Sequence, residues 1–385
     1  MSTMSTSDRI AGFDGLRAIA FLLVFASHKF PIEHRDPFGD IGVWTFFVLS
    51  GFLITGILAR SREDIETGAI SPVWALARFY LRRTARIFPI YYVLLAVALV
   101  LSAFMTVDNF WGMAKLAYAF YATNIFIGMR DAWVGDFGHL WSLAVEEQFY
   151  LLFAPLILVT PRRWTGVVCL GFVSVALTTK IVMEALGASN TAIDVSSLIN
   201  FGLLGFGGLV SLAAATRPGP TWLTSGPAQA ATLACLLVTP ALFGPSTEGW
   251  MTYAKVVGLI AGLLMFQIAQ AQTTRFVALL ESAPLRLLGR ISYGAYLFHP
   301  FIHFQNLMTW AGLGDLARGV PVSLQIVWEL VFTVVLATAS WVVLERPILK
   351  RAAMLTSRAP LAPARRDADA LSTTRSWPSE RGGVA

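Results

Sequence analysis

Residues 41–58 read Ile-Gly-Val-Trp-Thr-Phe-Phe-Val-Leu-Ser-Gly-Phe-Leu-Ile-Thr-Gly-Ile-Leu, a stretch without a single charge. Crossing the hydrocarbon core of a bilayer takes about twenty apolar residues in a helix. A backbone in that medium must satisfy its hydrogen bonds internally. The stretch therefore reads as a membrane helix. Its composition-level counterpart is the whole chain: 56% hydrophobic and 14% charged, where soluble domains carry roughly a quarter charged residues. Too few charges are present to cover a water-facing surface, and a soluble enzyme is excluded.

Working outward from residues 41–58, comparable apolar runs recur. The first spans Ile10 to Phe30 and the second Ile41 to Leu58; the third spans Ile87 to Phe104, the fourth Trp141 to Val159 and the fifth Thr165 to Leu186. The sixth covers Ser197 to Ala215, the seventh Ala228 to Phe243 and the eighth Tyr253 to Ala271, followed by Ile291 to Trp310 and Leu324 to Leu344. The expected fold is all-α: a polytopic membrane bundle of about ten transmembrane helices. The acidic residues Asp8 and Asp14 offset Arg9 and Arg17 ahead of the first run, so it is expected to stay in the protein rather than be cleaved as a signal peptide.

The basic residues orient the bundle. With a cytoplasmic N-terminus, the inner segments hold Arg60, Arg62, Arg78, Arg82, Arg83, Arg86, Arg162, Arg163, Arg217, Arg275, Arg286 and Arg290, and the tail adds six more from Arg346 to Arg366. The outer segments hold only Arg35, Lys115, Arg130 and Arg318. This is the positive-inside bias, with both termini cytoplasmic. It also accounts for the net charge of +6 without any nucleic acid partner. Residues 106–140 contain a further apolar piece that would invert this order as a full span, so a re-entrant or interfacial segment is expected there. Residues 1–350 are read as one transmembrane domain and 351–385 as a disordered cytoplasmic tail. The two cysteines, Cys169 and Cys235, lie inside apolar runs as small hydrophobes, with no metal-ligand spacing.

Ionisable residues inside spans are costly and mark function. Arg17 and His28 stand eleven positions apart in the first run, which brings them to within about 20° of one helical face and about 16 Å apart along it. A snorkelling cation and an interfacial imidazole would give the same pattern. Arg82, Arg83 and Arg86 cluster before the third run; guanidinium groups suit phosphate, but also serve as plain anchors. His139 and Glu146, with Ser142, Glu147 and Tyr150, open the fourth run. An imidazole and a carboxylate seven residues apart share a face and together suit acid–base work. Ser292, Tyr296 and His299 follow one face of the ninth run, either lining a polar cavity or joining helices.

These motifs, in this order, resemble the acyltransferase-3 family of membrane O-acyltransferases. Phe13-Asp14-Gly15-Leu16-Arg17 with His28 is similar to that family's opening motif, and Trp44 to Ile54 to its second-helix signature. Arg82 to Pro89 resembles its arginine motif, His139 to Tyr150 its Trp-Ser-Leu-x-x-Glu motif, and Ile291 to His299 its late Ser-Tyr-x-x-Tyr-Leu-x-His motif. The resemblance covers about residues 10–350. It implies a multi-pass protein of the bacterial inner membrane that moves an acyl group, acetyl by default, from acyl-CoA onto a hydroxyl of a surface glycan or glycolipid.

Carried onto this chain, the resemblance makes His28, Glu146 and His139 the expected catalytic residues, with His28 as general base on the acceptor hydroxyl or as brief carrier of the acyl group, and Glu146 with His139 positioning the acceptor or polarising the His28 imidazole. Arg17, Arg82, Arg83 and Arg86 are expected to hold acetyl-CoA. Ser142, Glu147, Tyr150, Ser292, Tyr296 and His299 are expected to touch substrate, and no metal is expected. A macrolide or lipid acceptor would leave the chemistry unchanged. A transporter or flippase is the reading from another class, against which stands the lack of self-similarity between the two halves.

Overall fold

The computed structural model describes residues 9–30, 37–104, 114–242 and 247–357. Among these residues every regular element is helical. Ten long helices answer the ten apolar runs: α1 Phe13–Lys29, α2 Pro37–Glu66, α3 Pro72–Phe104, α4 Leu140–Val159, α5 Thr165–Ala185, α6 Ser197–Thr216, α7 Gly226–Leu242, α8 Thr247–Gln270, α9 Ala283–Phe298 and α10 Val322–Ser340. Seven of them, all but α1, α7 and α9, are long and apolar enough to cross a membrane. The other three have 17, 17 and 16 residues. Their ends have local causes. Gly12, with φ at 90°, turns the chain immediately before α1, a conformation that costs glycine nothing. Pro300 supplies no N–H to prolong α9.

α1 and α9 pack against each other, and α1 also packs against the first half of α2. α1 lies antiparallel to α2: Gly39 faces Ser27, and the rings of Phe13 and Phe52 meet edge to face at 5.2 Å. α9 runs parallel to α1, with Gly289 set directly on the backbone of Asp14 at one end and His299 beside His28 at the other. The closest long-helix packing joins α2 and α6. A Cβ on Gly51 would strike the Leu204 carbonyl, and one on Gly207 would strike the Val48 carbonyl. Small residues at such crossings let backbones approach where lipid gives no hydrophobic drive between helices.

Three expectations change in the structure. The ninth run, expected as one span from Ile291 to Trp310, is instead a helix over Ala283–Phe298 that ends ahead of Pro300, with Phe304–Trp310 a separate short helix. The stretch before the third run, expected as an inner loop, is helical from Pro72, so Arg78, Arg82, Arg83 and Arg86 ride on α3 itself. The chain after α10 does not stop at residue 350: a π-helical turn over Trp341–Glu345 leads into a helix over Arg346–Ser357 that packs on α3 with Ala352 and Thr356 buried. The rest of the expected tail, 358–385, lies outside the described residues. Between α3 and α4, helices Ala114–Ala119 and Thr123–Arg130 are far too short to cross a membrane. Tyr91 of α3 holds them, donating to the Tyr118 carbonyl at 2.8 Å and stacking on Tyr121 at 4.3 Å; residues 105–113 of that stretch lie outside the described residues.

One buried ion pair fixes the far end of α1. Lys29 Nζ sits 3.0 Å from Glu329 of α10 with side chains 3% and 10% exposed, and donates to the Ile302 carbonyl at 2.6 Å. Glu329 also accepts the Phe304 backbone N–H at 2.7 Å. These contacts lock α1, α10 and the segment after α9 together beside His28.

Candidate active site

Two cavities meet inside the bundle. The first, about 100 Å³, is lined by Arg17 of α1, Ser50 of α2, Arg83 and Arg86 of α3, Ser142, Glu146 and Tyr150 of α4, and Ser292 and Tyr296 of α9. Its side chains are held in fixed directions. Tyr150 donates its phenolic hydrogen to Glu146 Oε2 at 2.8 Å. Its single hydrogen is then spent, so the close Ser50 contact is a donation from Ser50 Oγ to the Tyr150 oxygen. Arg83 lies 5.5 Å above the Tyr150 ring, a cation–π arrangement. Glu146 lies in the combined field of Arg83, Arg17 and Arg86. Among the lining residues three guanidinium groups stand against the one carboxylate of Glu146, with Asp14 outside the lining paired to Arg17 at 3.5 Å; guanidinium donors of this kind suit an anion or a developing oxyanion.

The second cavity, about 520 Å³, is lined by His28, Asp40, Trp133, His139, Trp141, Asp194 and Tyr296 among others. His28 Nδ1 is 2.6 Å from His299 Nε2. The two rings are 11° from parallel with centroids 4.9 Å apart. A nitrogen–nitrogen distance that short is incompatible with face-to-face stacking, so the imidazoles meet edge to edge through a hydrogen bond. His139 bonds the Asp136 carbonyl through Nδ1 at 2.7 Å. A carbonyl only accepts, so Nδ1 carries the hydrogen. His139 Nε2 is buried with no hydrogen-bond partner.

Tyr296 lines both cavities. Its hydroxyl donates to the His139 carbonyl at 3.0 Å and accepts from Ser142 Oγ at 2.7 Å. A third, largely apolar cavity of about 220 Å³ adjoins the second through Asp40, Trp133, Trp141 and Asp194 and continues between α5, α6 and α8 past Trp44, Lys180 and Lys255.

A model of the acyltransferase domain matches residues 10–346. The chain belongs to the acyltransferase-3 family. It is 28% identical to the peptidoglycan O-acetyltransferase OatA of Listeria monocytogenes serovar 1/2a, over 75% of this chain and 49% of that protein. It is 27% identical to the O-acetyltransferase OatA of Staphylococcus aureus strain NCTC 8325, over 89% of this chain and 57% of that protein. The chain thus spans about half the length of these curated relatives. No solved structure matches. The match is to an acyltransferase domain, which favours the enzyme reading over the transporter reading.

In this acyltransferase the structure brings together Arg17, Arg83, Arg86, Ser142, Glu146, Tyr150, Ser292 and Tyr296 from four helices. It separates others expected with them. Arg82 turns away from its neighbours, and its Nε donates to Thr356 Oγ1 at 2.8 Å in the C-terminal helix. Consecutive residues on a helix point about 100° apart, and here Arg83 takes the cavity side while Arg82 takes the side of the C-terminal helix. Glu147, adjacent to Glu146, lines neither cavity, and its Oε1 is buried with no hydrogen-bond partner. His299 is fully buried behind His28 and so is out of reach of a substrate. Glu146 and His139 share a helix face as expected, yet they stand about 10 Å apart along it, opening into different cavities. The partner of the His28 ring is therefore His299, not Glu146.

Sequence reading missed the wall of the second cavity. Asp40, Trp133 and Asp194, shared with the third cavity, come from connecting segments or helix ends, and Lys180 and Lys255 of the third cavity come from the middle spans. No periodic pattern marks them. The available signal was that tryptophans and carboxylates recur at the outer ends of several runs.

Proposed function

We propose that this acyltransferase transfers an acyl group, acetyl by default, from acyl-CoA in the smaller cavity to a sugar hydroxyl in the larger one. The observation that carries this reading is that Tyr296 borders both cavities. A donor on one side and an acceptor on the other meet at Tyr296, the one polar side chain that lines both, with Val43 also lining both. The smaller cavity is well below the roughly 300–1,000 Å³ of a site that encloses a whole small molecule. It has room for a slender thioester arm, with the nucleotide left outside and Arg17, Arg83 and Arg86 turned to its charge. The larger cavity is within that range. Indole faces offer broad apolar planes with a polar handle, suited to the faces of a sugar ring, and the carboxylates of Asp40 and Asp194 accept from hydroxyls.

The ten long helices are read as ten spans with both termini cytoplasmic, in the bacterial inner membrane. In support, the residues lining the larger cavity come from the ends of helices that the positive-inside order puts outside, and Arg17, Arg83 and Arg86 come from the inner ends. The acyl group then leaves the cytoplasmic side and is delivered to the outer face.

The chemistry follows from the His28 ring. Its Nε2 takes the hydrogen of the acceptor hydroxyl as the oxygen attacks the thioester carbonyl. The C–S bond then breaks, the thiolate of CoA takes that proton back from Nε2, and an O-acyl ester remains. Proton transfer by a placed imidazole contributes about 10²–10⁴-fold to such a rate. The test is acyl release from labelled acetyl-CoA by the purified chain in detergent, with cell-envelope glycan, for wild type beside His28→Ala and Arg83→Ala. Turnover by wild type alone supports the reading. Turnover that survives His28→Ala removes the base, and no turnover by folded wild type calls for another donor.

A further inference from the structure

We infer that His299 is a positioning residue that locks His28 in the tautomer a general base needs, with a bare Nε2 facing the acceptor cavity. The inference rests on His28 being the base and names the group that makes it one.

The argument is a chain of hydrogen positions. His299 Nδ1 lies 2.7 Å from the Tyr296 carbonyl oxygen. A carbonyl only accepts, so Nδ1 carries the hydrogen, and a neutral imidazole carries one. His299 Nε2 is then bare and accepts, which requires His28 Nδ1, 2.6 Å away, to be the donor. His28 Nε2 is left with its lone pair. His28 is exposed to the cavity, and Nδ1 is the ring nitrogen that bonds His299. The opposite sense would need a second proton on His299. That ring is fully buried, and among the described residues no carboxylate pairs with it, so a charge there would be costly.

The origin of the lock is visible in the sequence order Tyr296-Leu297-Phe298-His299-Pro300. In a continuing helix the Tyr296 carbonyl would accept the N–H of residue 300. Proline has none, so the carbonyl is left open as α9 ends, and His299 Nδ1 fills it. Pro300 thus frees the acceptor that sets His299, and His299 sets His28. When His28 takes a proton, His299 Nε2 remains its acceptor and supports the imidazolium. Partners that orient a metal-ligating histidine in this way typically cost about 10–100-fold when removed, and a loss of that order is expected here.

The test uses the purified full chain in detergent with ¹⁵N-labelled histidine. In wild type the His28 resonances are expected to show a protonated Nδ1 and an unprotonated Nε2. His299→Phe is expected to lower kcat by about 10- to 100-fold, with KM for acetyl-CoA unchanged and His28 no longer held in one tautomer. His299→Gln keeps an acceptor oxygen near the position of Nε2 and is expected to restore most of kcat. A wild-type His28 with its proton on Nε2 would overturn the inference. So would a His299→Phe enzyme with wild-type kcat, or equal losses in the Phe and Gln variants, which would assign His299 to packing. If His299→Phe does not fold, the wild-type spectrum decides. The spectrum needs no turnover, so a wild type inactive towards every acyl-CoA would count against acyl transfer and leave the tautomer assignment standing.

Discussion

The Tyr296 hydroxyl accepts a hydrogen bond from Ser142 Oγ at 2.7 Å, and this pair is the partition between the two cavities. It joins α9 to α4, 154 residues apart in the chain. Removing the hydroxyl in Tyr296→Phe takes a donor from the His139 carbonyl and an acceptor from Ser142. The expected loss is about 0.5–1.5 kcal/mol, the net worth of one hydrogen bond, because Ser142 Oγ lies 3.3 Å from the same carbonyl and can donate there instead; it is read as a lower thermal midpoint in detergent. A variant as stable as wild type would show that the partition is not hydrogen-bonded.

The three neighbouring arginines are expected to behave differently. Arg83→Ala and Arg86→Ala remove charges that line the smaller cavity. Each is expected to raise KM for acetyl-CoA about tenfold, the equivalent of a charge-assisted contact worth about 1.5–3 kcal/mol. Arg82→Ala breaks a bond to Thr356 instead and is expected to leave that KM within about twofold, because a partly exposed contact of this kind carries little binding energy. Equal KM changes for Arg82 and Arg83 would mean that all three reach the donor.

Glu329→Ala leaves Lys29 buried without its counter-charge and the Phe304 N–H without its acceptor. Breaking a buried pair on one side costs about 3–5 kcal/mol, so the variant is expected to unfold at a much lower temperature. Glu329→Gln can still accept the backbone N–H and is expected to fall between. Comparable midpoints for wild type and Glu329→Ala would show that Lys29 finds another partner or water.

Gly51→Val tests the α2–α6 crossing. The added side chain would meet the Leu204 backbone, which has no flexible end to move aside. The expected result is loss of monodisperse protein on size exclusion, with Gly171→Val on α5, where nothing lies nearby and the backbone is helical, giving far less damage. Equal recoveries would place the two helices farther apart.

Trp133→Ala removes an indole that is 55% exposed and borders the larger cavity. On the proposed reading the KM for the glycan acceptor rises by about tenfold or more, the scale of a stacking contact worth about 1–3 kcal/mol, while acyl-CoA hydrolysis without acceptor is unchanged. A matching effect on hydrolysis would assign Trp133 to the donor side or to folding.

The membrane class, the presence of ten long helices and the polar residues at the two ends of α1 were legible in the residues alone, because apolar length and the 3.6-residue period are local properties; the ninth helix, expected over Ile291 to Trp310, lies instead over Ala283–Phe298. Helix ends were less so. The early start of α3 at Pro72 and the helix over Arg346–Ser357 contain mixed charged sequence that apolar counting passes over. Spacing also put Glu146 and His139 on one face correctly. It could not say that Tyr296, from a helix far along the chain, would stand between them.

The sequence by itself determined that this chain crosses a membrane as a bundle, that it belongs with the membrane acyltransferases, and that Arg17 and His28 occupy opposite ends of one helix face. Only the tertiary structure decided that His28 pairs with His299, 271 positions away, that Arg83 and Arg86 face a cavity while Arg82 faces a helix, and that two cavities share Tyr296. The reason is physical. Spacing along a helix sets a residue's direction and height, but its partner is chosen by which helices pack together. That choice depends on small contacts spread over the whole chain, such as Gly51 against Leu204 and Gly289 against Asp14.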